Sequence, residues 1–158
     1  YKDKHLIGTG LNSLSETINF MKIAKSLDFE KFLIMPPAYY LYGDNEVINF
    51  YSKIVEAIPE SKIILYNFEK LCGYKFSVEC VKELVKRFPN QIVGVKDSSY
   101  NLFENLKQTL KCFHNQMHFC YYKEKTNYYN YLHYSFLKYY LFYCSQISHQ
   151  IRIANTYN

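Results

Sequence analysis

The 158-residue sequence has no tryptophan and few residues that interrupt regular structure, with five glycines and four prolines. This composition excludes collagen-like proteins and the Pro/Gly-rich class of disordered chains. An initiator methionine is also missing, and no positively charged start followed by an apolar stretch marks a secretory signal. We therefore expect a fragment or the product of an unusual gene, located in the cytoplasm.

Clusters of charge and of metal ligands are missing as well. The 19 basic and 14 acidic residues are interspersed, with a formal charge of +5, so no basic stripe predicts a nucleic-acid partner. The cysteines are odd in number, form no C-x-x-C pair and are typical of reduced intracellular thiols. They are Cys72, Cys80, Cys112, Cys120 and Cys144. The five histidines lack the spacing of zinc ligands, so we expect them to be surface or core residues.

What the sequence does have is a regular alternation over residues 1–113. Four short apolar runs, each followed by an amphipathic segment, predict strand–helix repeats. The runs are Leu6-Ile7, Phe32-Leu33-Ile34-Met35, Ile63-Ile64-Leu65-Tyr66 and Ile92-Val93-Gly94-Val95-Lys96. The helices are expected to start at Ser13 or Ser15, at Asp44 or Asn45, at Ser77 and near Asn101. Continuous apolar strands joined by helices are typical of an α/β fold with a parallel sheet.

Residues capable of chemistry lie where these strands end. Lys96 ends the fourth run and Tyr66 the third, and neighbouring parallel strands bring such residues to one edge of the sheet. A lysine whose surroundings disfavour its charge becomes a nucleophile that forms imines, and a phenol beside it can relay protons. From position alone, Lys96 could instead reach into water, and Tyr66 could instead pack its ring into the core.

Four motifs in order resemble those of one enzyme family. They are Gly8-Thr9-Gly10-Leu11-Asn12-Ser13, Pro36-Pro37-Ala38-Tyr39-Tyr40, Ile64-Leu65-Tyr66-Asn67 with Gly73, and Val93-Gly94-Val95-Lys96-Asp97-Ser98. Their order and spacing over about residues 5–113 resemble the dihydrodipicolinate synthase / N-acetylneuraminate lyase family of class I aldolases. The resemblance implies a partial (β/α)8 TIM barrel, about strands 3 to 6 with their helices.

The resemblance also implies roles for single residues. Lys96 stands at the position of the lysine that forms a Schiff base with pyruvate or another 2-oxo acid, and Tyr66 at that of the tyrosine that shuttles protons. Tyr39 matches a tyrosine that the family often inserts into a neighbouring subunit's site, with Tyr40 as the alternative if the loop register shifts. Ser98 matches a substrate-binding hydroxyl. We accordingly expect a small 2-oxo acid as ligand, neither a metal nor a cofactor, and a homo-oligomer in the full-length family.

One departure from the family bears on the substrate. Leu71 lies two residues before Gly73, where members that make dihydrodipicolinate usually carry an arginine. Arginine binds a carboxylate through paired hydrogen bonds, which leucine cannot form. Leu71 resembles the sialic acid lyase branch, and Lys96-Asp97-Ser98 also resembles 2-keto-3-deoxy sugar acid aldolases. We therefore expect a lyase or aldolase of a 2-oxo sugar acid, with 4-hydroxy-tetrahydrodipicolinate synthase as the alternative.

Residues 114–158 do not continue the family's pattern. Ten of the 18 tyrosines follow residue 120, and residues 128–147 are aromatic and nearly uncharged. We do not expect a membrane span there, because tyrosine prefers the interface to the centre of a bilayer. The sequence thus predicts two parts, a partial aldolase domain over residues 1–113 and an aromatic tail over residues 114–158 that is helical or poorly ordered.

The family's first two and last two strands have no recognisable counterpart in the chain. A barrel of this kind takes about 250 residues, and a half-open barrel leaves strand edges and apolar helix faces uncovered. We expect the chain as given to be unstable, self-associating or inactive, so a non-enzymatic remnant that acts only in association is a further alternative. A monomer in light scattering that melts sharply and cooperatively would contradict this expectation.

Overall fold

The computed structural model describes residues 5–98, Leu102, Asn105, Leu106 and the backbone of residues 118–121. All of them lie in the first of the two units into which the chain divides, Tyr1–Glu124. The strands are β1 (Ile7–Thr9), β2 (Lys31–Ile34), β3 (Lys62–Asn67), β4 (Ile92–Asp97) and β5 (His118–Tyr121). The helices are α1 (Leu14–Ser26), α2 (Asp44–Ala57), α3 (Glu69–Cys72) and α4 (Val78–Arg87).

The described strands form one parallel sheet in the order β1-β2-β3-β4-β5. Each strand pairs with the next strand along the chain, so the carboxyl ends of all of them lie at one edge. This topology confirms the predicted parallel α/β sheet. The pairing of β3 with β4 shifts between Ile63 and Ile64, because Ile63 pairs with Ile92 whereas Ile64 pairs with Gly94.

Polar residues fix where the helices begin, as the sequence predicts. Ser13 caps α1 and accepts a hydrogen bond from the Glu16 N–H at 3.4 Å. Ser77 caps α4 in the same way and accepts from the Cys80 N–H at 2.9 Å. α2 begins at Asp44, one of its two predicted starts. These positions confirm the predicted helix starts, although the N-cap of α2 is Gly43, which makes no side-chain capping bond.

The core joins alternate strand residues to residues of α2 and α4. Ile63 and Leu65 of β3 are fully buried, whereas Ile64 and Tyr66 between them are partly exposed. Tyr51 of α2 belongs to the same core, and its hydroxyl donates to a backbone carbonyl of β2 at 2.7 Å. We term the side of β3 and β4 that carries the fully buried residues the covered face, and the side that carries the partly exposed ones the open face.

β5 differs from the helical or poorly ordered tail expected over residues 114–158. Its residues pair with β4, His118 opposite Gly94 and Tyr121 opposite Asp97. A four-residue strand that contains histidine and cysteine forms no distinct apolar run within an aromatic segment, so periodicity does not reveal it. The rest of the predicted tail, including residues 128–147, lies outside the described residues. The helix expected over about residues 101–112 is helical at Leu102, Asn105 and Leu106, and its other residues also lie outside them.

Candidate active site

The structure brings together Lys96 and Tyr66, the two residues predicted to carry the chemistry. They are direct partners in the ladder between β3 and β4, each one residue before the end of its strand. Both side chains are partly exposed on the open face. The Lys96 Nζ lies over the Tyr66 ring, 4.0 Å from the ring centroid, which is the geometry of a cation–π contact. An amine and a phenol therefore share one surface at the carboxyl edge of the sheet.

The described surroundings of the Lys96 amine are aromatic. Its neighbour is an aromatic ring, and among the described residues no carboxylate forms an ion pair with it. A ring attracts the ammonium form through its quadrupole without holding a full negative charge next to it. Among the described residues, the partner of the Lys96 amine is therefore a ring and not a carboxylate.

Two polar side chains lie one residue beyond this pair, on the covered face. Asn67 and Asp97 are 0% and 2% exposed, and the Asn67 Nδ2 donates to the Asp97 Oδ1 at 2.8 Å. The Asn67 Oδ1 accepts from the Phe76 N–H at 3.1 Å, which ties the loop after β3 back to the sheet. Neither residue is among the predicted site residues. The signal that could have found them is a polar residue at the end of each of two adjacent buried strands.

Ser98 directly follows β4 and is partly exposed. Its backbone N–H donates to the Asn67 carbonyl at 2.8 Å, which extends the pairing of the two strands past their last register pair. Ser98 therefore lies at the same edge of the sheet as Lys96, two residues further along the chain. A substrate-binding role for its hydroxyl stays a prediction.

Tyr39 and Tyr40 lie between β2 and α2 and are 76% and 66% exposed. Their rings meet edge to face with centroids 4.8 Å apart, and the adjacent Leu41 is 95% exposed. A backbone N–H of this segment donates to the Asn12 Oδ1 at 2.9 Å, which ties it to the loop before α1. Within the described residues, no hydrogen bond or ring contact joins either tyrosine to Lys96. Tyr39, Tyr40 and Leu41 therefore form an exposed loop of large, mainly apolar side chains.

Leu71 lies in α3, a short helix that apolar periodicity does not predict, and is 58% exposed. Gly73 ends this helix with a φ of 70°, a left-handed conformation that glycine adopts without steric penalty. The buried Cys72 anchors the turn, since its thiol lies 3.3 Å from the carbonyl oxygens of both Phe68 and Tyr74. The side chain of Leu71 is therefore free to meet a ligand or a partner.

A second polar cluster ties α2 to α4. The Asp44 carboxylate accepts hydrogen bonds from the Tyr74 hydroxyl at 2.7 Å and from the Ser77 hydroxyl. Burial raises the pKa of Tyr74 well above its ordinary value, and its contacts with Cys80 and Asp44 raise it further. Burial likewise raises the pKa of the Cys80 thiol to about 11. Both groups keep their protons at neutral pH, and the hydrogen bonds to Asp44 join the start of α2 to the residues just before α4.

Other candidate sites in the described residues are weaker. A groove of about 350 Å³ lies between the start of α1 and α2, and it contains none of the predicted site residues. No group of His, Cys, Asp or Glu side chains in the described part of the chain is placed to hold a metal ion. No helix in that part is long and apolar enough to cross a bilayer. The carboxyl edge of β3 and β4 is therefore the candidate active site.

Known proteins carry the same sequence pattern. The profile of the dihydrodipicolinate synthetase family matches residues 3–131. The chain belongs to this family. The resemblance predicted from the four motifs is thus confirmed, and the match continues past residue 113 to include β5.

Three relatives show how much of a family member the chain represents. An uncharacterized DapA-like lyase from Pyrobaculum arsenaticum is 36% identical over 60% of this chain and 31% of its own length. The 2-dehydro-3-deoxy-D-gluconate/2-dehydro-3-deoxy-phosphogluconate aldolase of Picrophilus torridus is 31% identical over 61% of this chain and 35% of its own length. The crystal structure of dihydrodipicolinate synthase from Cyanidioschyzon merolae with lysine bound has a TM-score of 0.61 at 27% identity, covering 65% of this chain and 35% of that one.

The chain thus spans about a third of the length of the relatives it matches. Its parallel sheet is part of a TIM barrel, which confirms the predicted fold class. The family is one of lyases and aldolases.

Proposed function

We propose that Lys96 forms a Schiff base with pyruvate or another 2-oxo acid, and that Tyr66 relays the protons of this reaction. The observation that carries the proposal is the 4.0 Å contact between the Lys96 Nζ and the Tyr66 ring on the open face. Membership of a family of lyases and aldolases supports it as well. A nucleophilic amine and a nearby proton donor are the two groups that such a reaction needs.

The reaction begins when the neutral amine of Lys96 attacks the carbonyl carbon of the 2-oxo acid. The carbinolamine takes up one proton through Tyr66, loses water and gives a protonated imine, which draws the electron pair of the bond between C3 and C4. That bond breaks, an aldehyde leaves, and the Tyr66 hydroxyl relays the proton released from the C4 hydroxyl. The remaining enamine takes up a proton at C3, and water then releases pyruvate and regenerates the amine. The same steps in reverse form a bond.

A 2-oxo sugar acid is the substrate class that we propose. Leu71 presents a hydrocarbon side chain where an arginine would bind a second carboxylate. A 2-dehydro-3-deoxy sugar acid aldolase among the relatives supports this class. In this proposal the Ser98 hydroxyl binds substrate beside Lys96, and Tyr39 reaches the site of a second subunit, with Tyr40 as the alternative.

Location and assembly belong to the proposal too. In this proposal the chain forms a homo-oligomer. The exposed loop of Tyr39, Tyr40 and Leu41 supports it, because large exposed apolar side chains mark interfaces. Cys72 and Cys80 are free thiols, which supports a reducing cytoplasmic location.

Two alternatives each have one supporting observation. A 4-hydroxy-tetrahydrodipicolinate synthase is favoured by the synthase structure that the sheet resembles. A non-enzymatic remnant that acts only in association is favoured by the exposed side chains of Tyr39, Tyr40 and Leu41.

Incubation of the whole chain with pyruvate and borohydride tests the Schiff base, because borohydride reduces an imine to a stable amine. Peptide mass spectrometry should locate one reduced pyruvate on Lys96. Lys96→Arg keeps the charge but removes the nucleophile, and it should form no adduct. Lys62→Arg is the matched control, because the Lys62 Nζ donates to the Asn90 carbonyl at 2.7 Å at the opposite end of β3. It should react like the wild type.

The absence of an adduct in a cooperatively folded chain would refute the Schiff base and favour the remnant. For the substrate class, cleavage of 2-keto-3-deoxygluconate to pyruvate should be compared with condensation of pyruvate and aspartate semialdehyde. Cleavage supports the sugar acid, whereas condensation alone supports the synthase. Leu71→Arg should move the chain toward condensation, since it introduces the carboxylate-binding side chain.

A further inference from the structure

The buried pair Asn67–Asp97 lies one residue beyond Tyr66 and Lys96, and we propose that it holds these two side chains in register on the open face. Successive strand residues point to opposite faces, so the pair sits on the covered face and does not meet the substrate. Asn67 and Asp97 are in this sense positioning residues. Their effect on the reaction rests on the proposed function of Lys96.

The ladder between β3 and β4 needs such a device because its pairing is irregular. The register shifts between Ile63 and Ile64, and Val93 of β4 is skipped there. A further slip by one residue would reverse the face that every following side chain occupies, so that Lys96 would point toward the helices. Val93 and Val95 are both valines, so either of them could be buried against the helices. These two side chains therefore do not favour one register over the other.

The polar pair is compatible only with the observed register. The Asn67 Nδ2 donates to the Asp97 Oδ1 at 2.8 Å, and both residues are at most 2% exposed. A slip by one residue would place Lys96 or Ser98 opposite Asn67 and would part the Asp97 carboxylate from the amide. Separating a buried carboxylate from a hydrogen-bond donor is unfavourable. The pair therefore selects the register, as single buried polar residues do in coiled coils.

Asn67 makes further hydrogen bonds that also favour the observed register. Its Oδ1 accepts from the Phe76 N–H at 3.1 Å, and its backbone carbonyl accepts from the Ser98 N–H at 2.8 Å. One residue thereby joins the strand of Tyr66, the strand of Lys96 and the loop that carries α3. All three elements of the candidate site meet at this buried amide.

Exchanging the two side chains tests the pair. Asn67→Asp alone turns two buried carboxylates toward each other and should slow pyruvate trapping at Lys96 roughly tenfold or more. In the double variant N67D/D97N the new amide donates to the new carboxylate, whose second oxygen accepts the Phe76 N–H. Both hydrogen bonds are then restored, and trapping should return to within about threefold of the wild type.

The position of Lys96 can also be read without any catalysis. Reductive methylation with ¹³C-formaldehyde labels the lysine amines, and the ring current of Tyr66 should shift the methyl signal of Lys96 upfield. Lys96→Arg assigns that signal by removing it. We expect the shift in the wild type, its loss in Asn67→Asp and its recovery in the double variant. Ser61→Ala removes a buried hydrogen bond to Ile58 at the other end of β3, and it should lower stability while keeping the shift.

An upfield signal that persists in Asn67→Asp would overturn the proposal, as would a cooperatively folded double variant that lacks it. If Asn67→Asp does not fold, Asp97→Leu gives the comparison. It removes the oxygen that accepts from the Asn67 amide without adding a charge, so it should reduce the shift, and an unchanged signal there would also count against the proposal. A wild-type chain with the shifted signal but no trapped pyruvate would refute the Schiff base while supporting the positioning of Lys96.

Discussion

The covered face and the open face of β3 and β4 belong to the same two six-residue strands but differ in what they contribute. On the covered face Ile63, Leu65 and Val95 are at most 2% exposed and pack in one core with the helices. On the open face Tyr66 and Lys96 stay partly exposed and contact each other. Because strand residues alternate, one strand supplies both core and candidate site. Stability and chemistry are thus assigned to separate positions.

The same comparison explains where buried polar side chains are tolerated. The covered face is apolar through Leu65 and Val95 and becomes polar only at Asn67 and Asp97, the last residues of the two strands. A buried hydrogen bond to a charged group contributes about 1.5–3 kcal/mol when it is made and is unfavourable when it is broken. The polar pair is therefore located where correct register matters most for the open face.

Tyr66→Phe removes the hydroxyl on the open face but keeps the ring, and it should lower the reaction rate more than the other single changes lower what they affect. The ring remains under Lys96, so pyruvate trapping should persist. Exchange of the pyruvate methyl protons with D₂O, which reports enamine formation, should fall roughly 10²- to 10⁴-fold, because the proton relay is lost. Proton NMR measures this exchange. Tyr42→Phe, the same change between β2 and α2, should leave it unaltered, and equal exchange in Tyr66→Phe would exclude the hydroxyl as the relay.

Leu65→Ala and Ile64→Ala compare the two faces through stability. Leu65 is fully buried, so its truncation should lower the free energy of unfolding by about 2–5 kcal/mol. Ile64 is only partly buried, and its truncation should lower it by roughly half as much or less. Urea denaturation followed by circular dichroism measures both values. Equal losses would mean that the open face is packed as tightly as the covered one.

The order of strands and helices could be predicted because most elements carry a recognisable signal within their own residues. Runs such as Ile63-Ile64-Leu65-Tyr66 are apolar, and Ser13 and Ser77 mark helix starts. Two elements lack such signals. α3 has four residues and depends on Gly73 adopting a left-handed conformation, and β5 depends on pairing with β4. A helix of four residues is too short to show apolar periodicity, and a strand that depends on a partner elsewhere in the chain leaves no periodic trace of its own.

The candidate site divides in the same way. Lys96 and Tyr66 could be predicted, because each ends an apolar run and adjacent parallel strands bring such ends together. The bond between Asn67 and Asp97 could not, since it depends on a register shift at Val93 that no local pattern encodes. A sequence can indicate which residues lie at an edge, but contacts across strands follow from the three-dimensional pairing.

The smallest effect that we predict is a dependence of stability on pH through Cys80. This residue of α4 is 1% exposed and belongs to the core that packs on the covered face. Burial raises the pKa of its thiol from an ordinary value of 9.0 to about 11, so the folded chain holds this proton more tightly than the unfolded chain does. The associated stability is complete below about pH 9 and is lost as the pH rises toward 11, and the melting temperature should fall over that range. Cys80→Ala should flatten the fall without abolishing it, because the pKa of Tyr74 is raised in the same direction. An equally steep fall in Cys80→Ala would assign the pH dependence to groups other than the buried thiol.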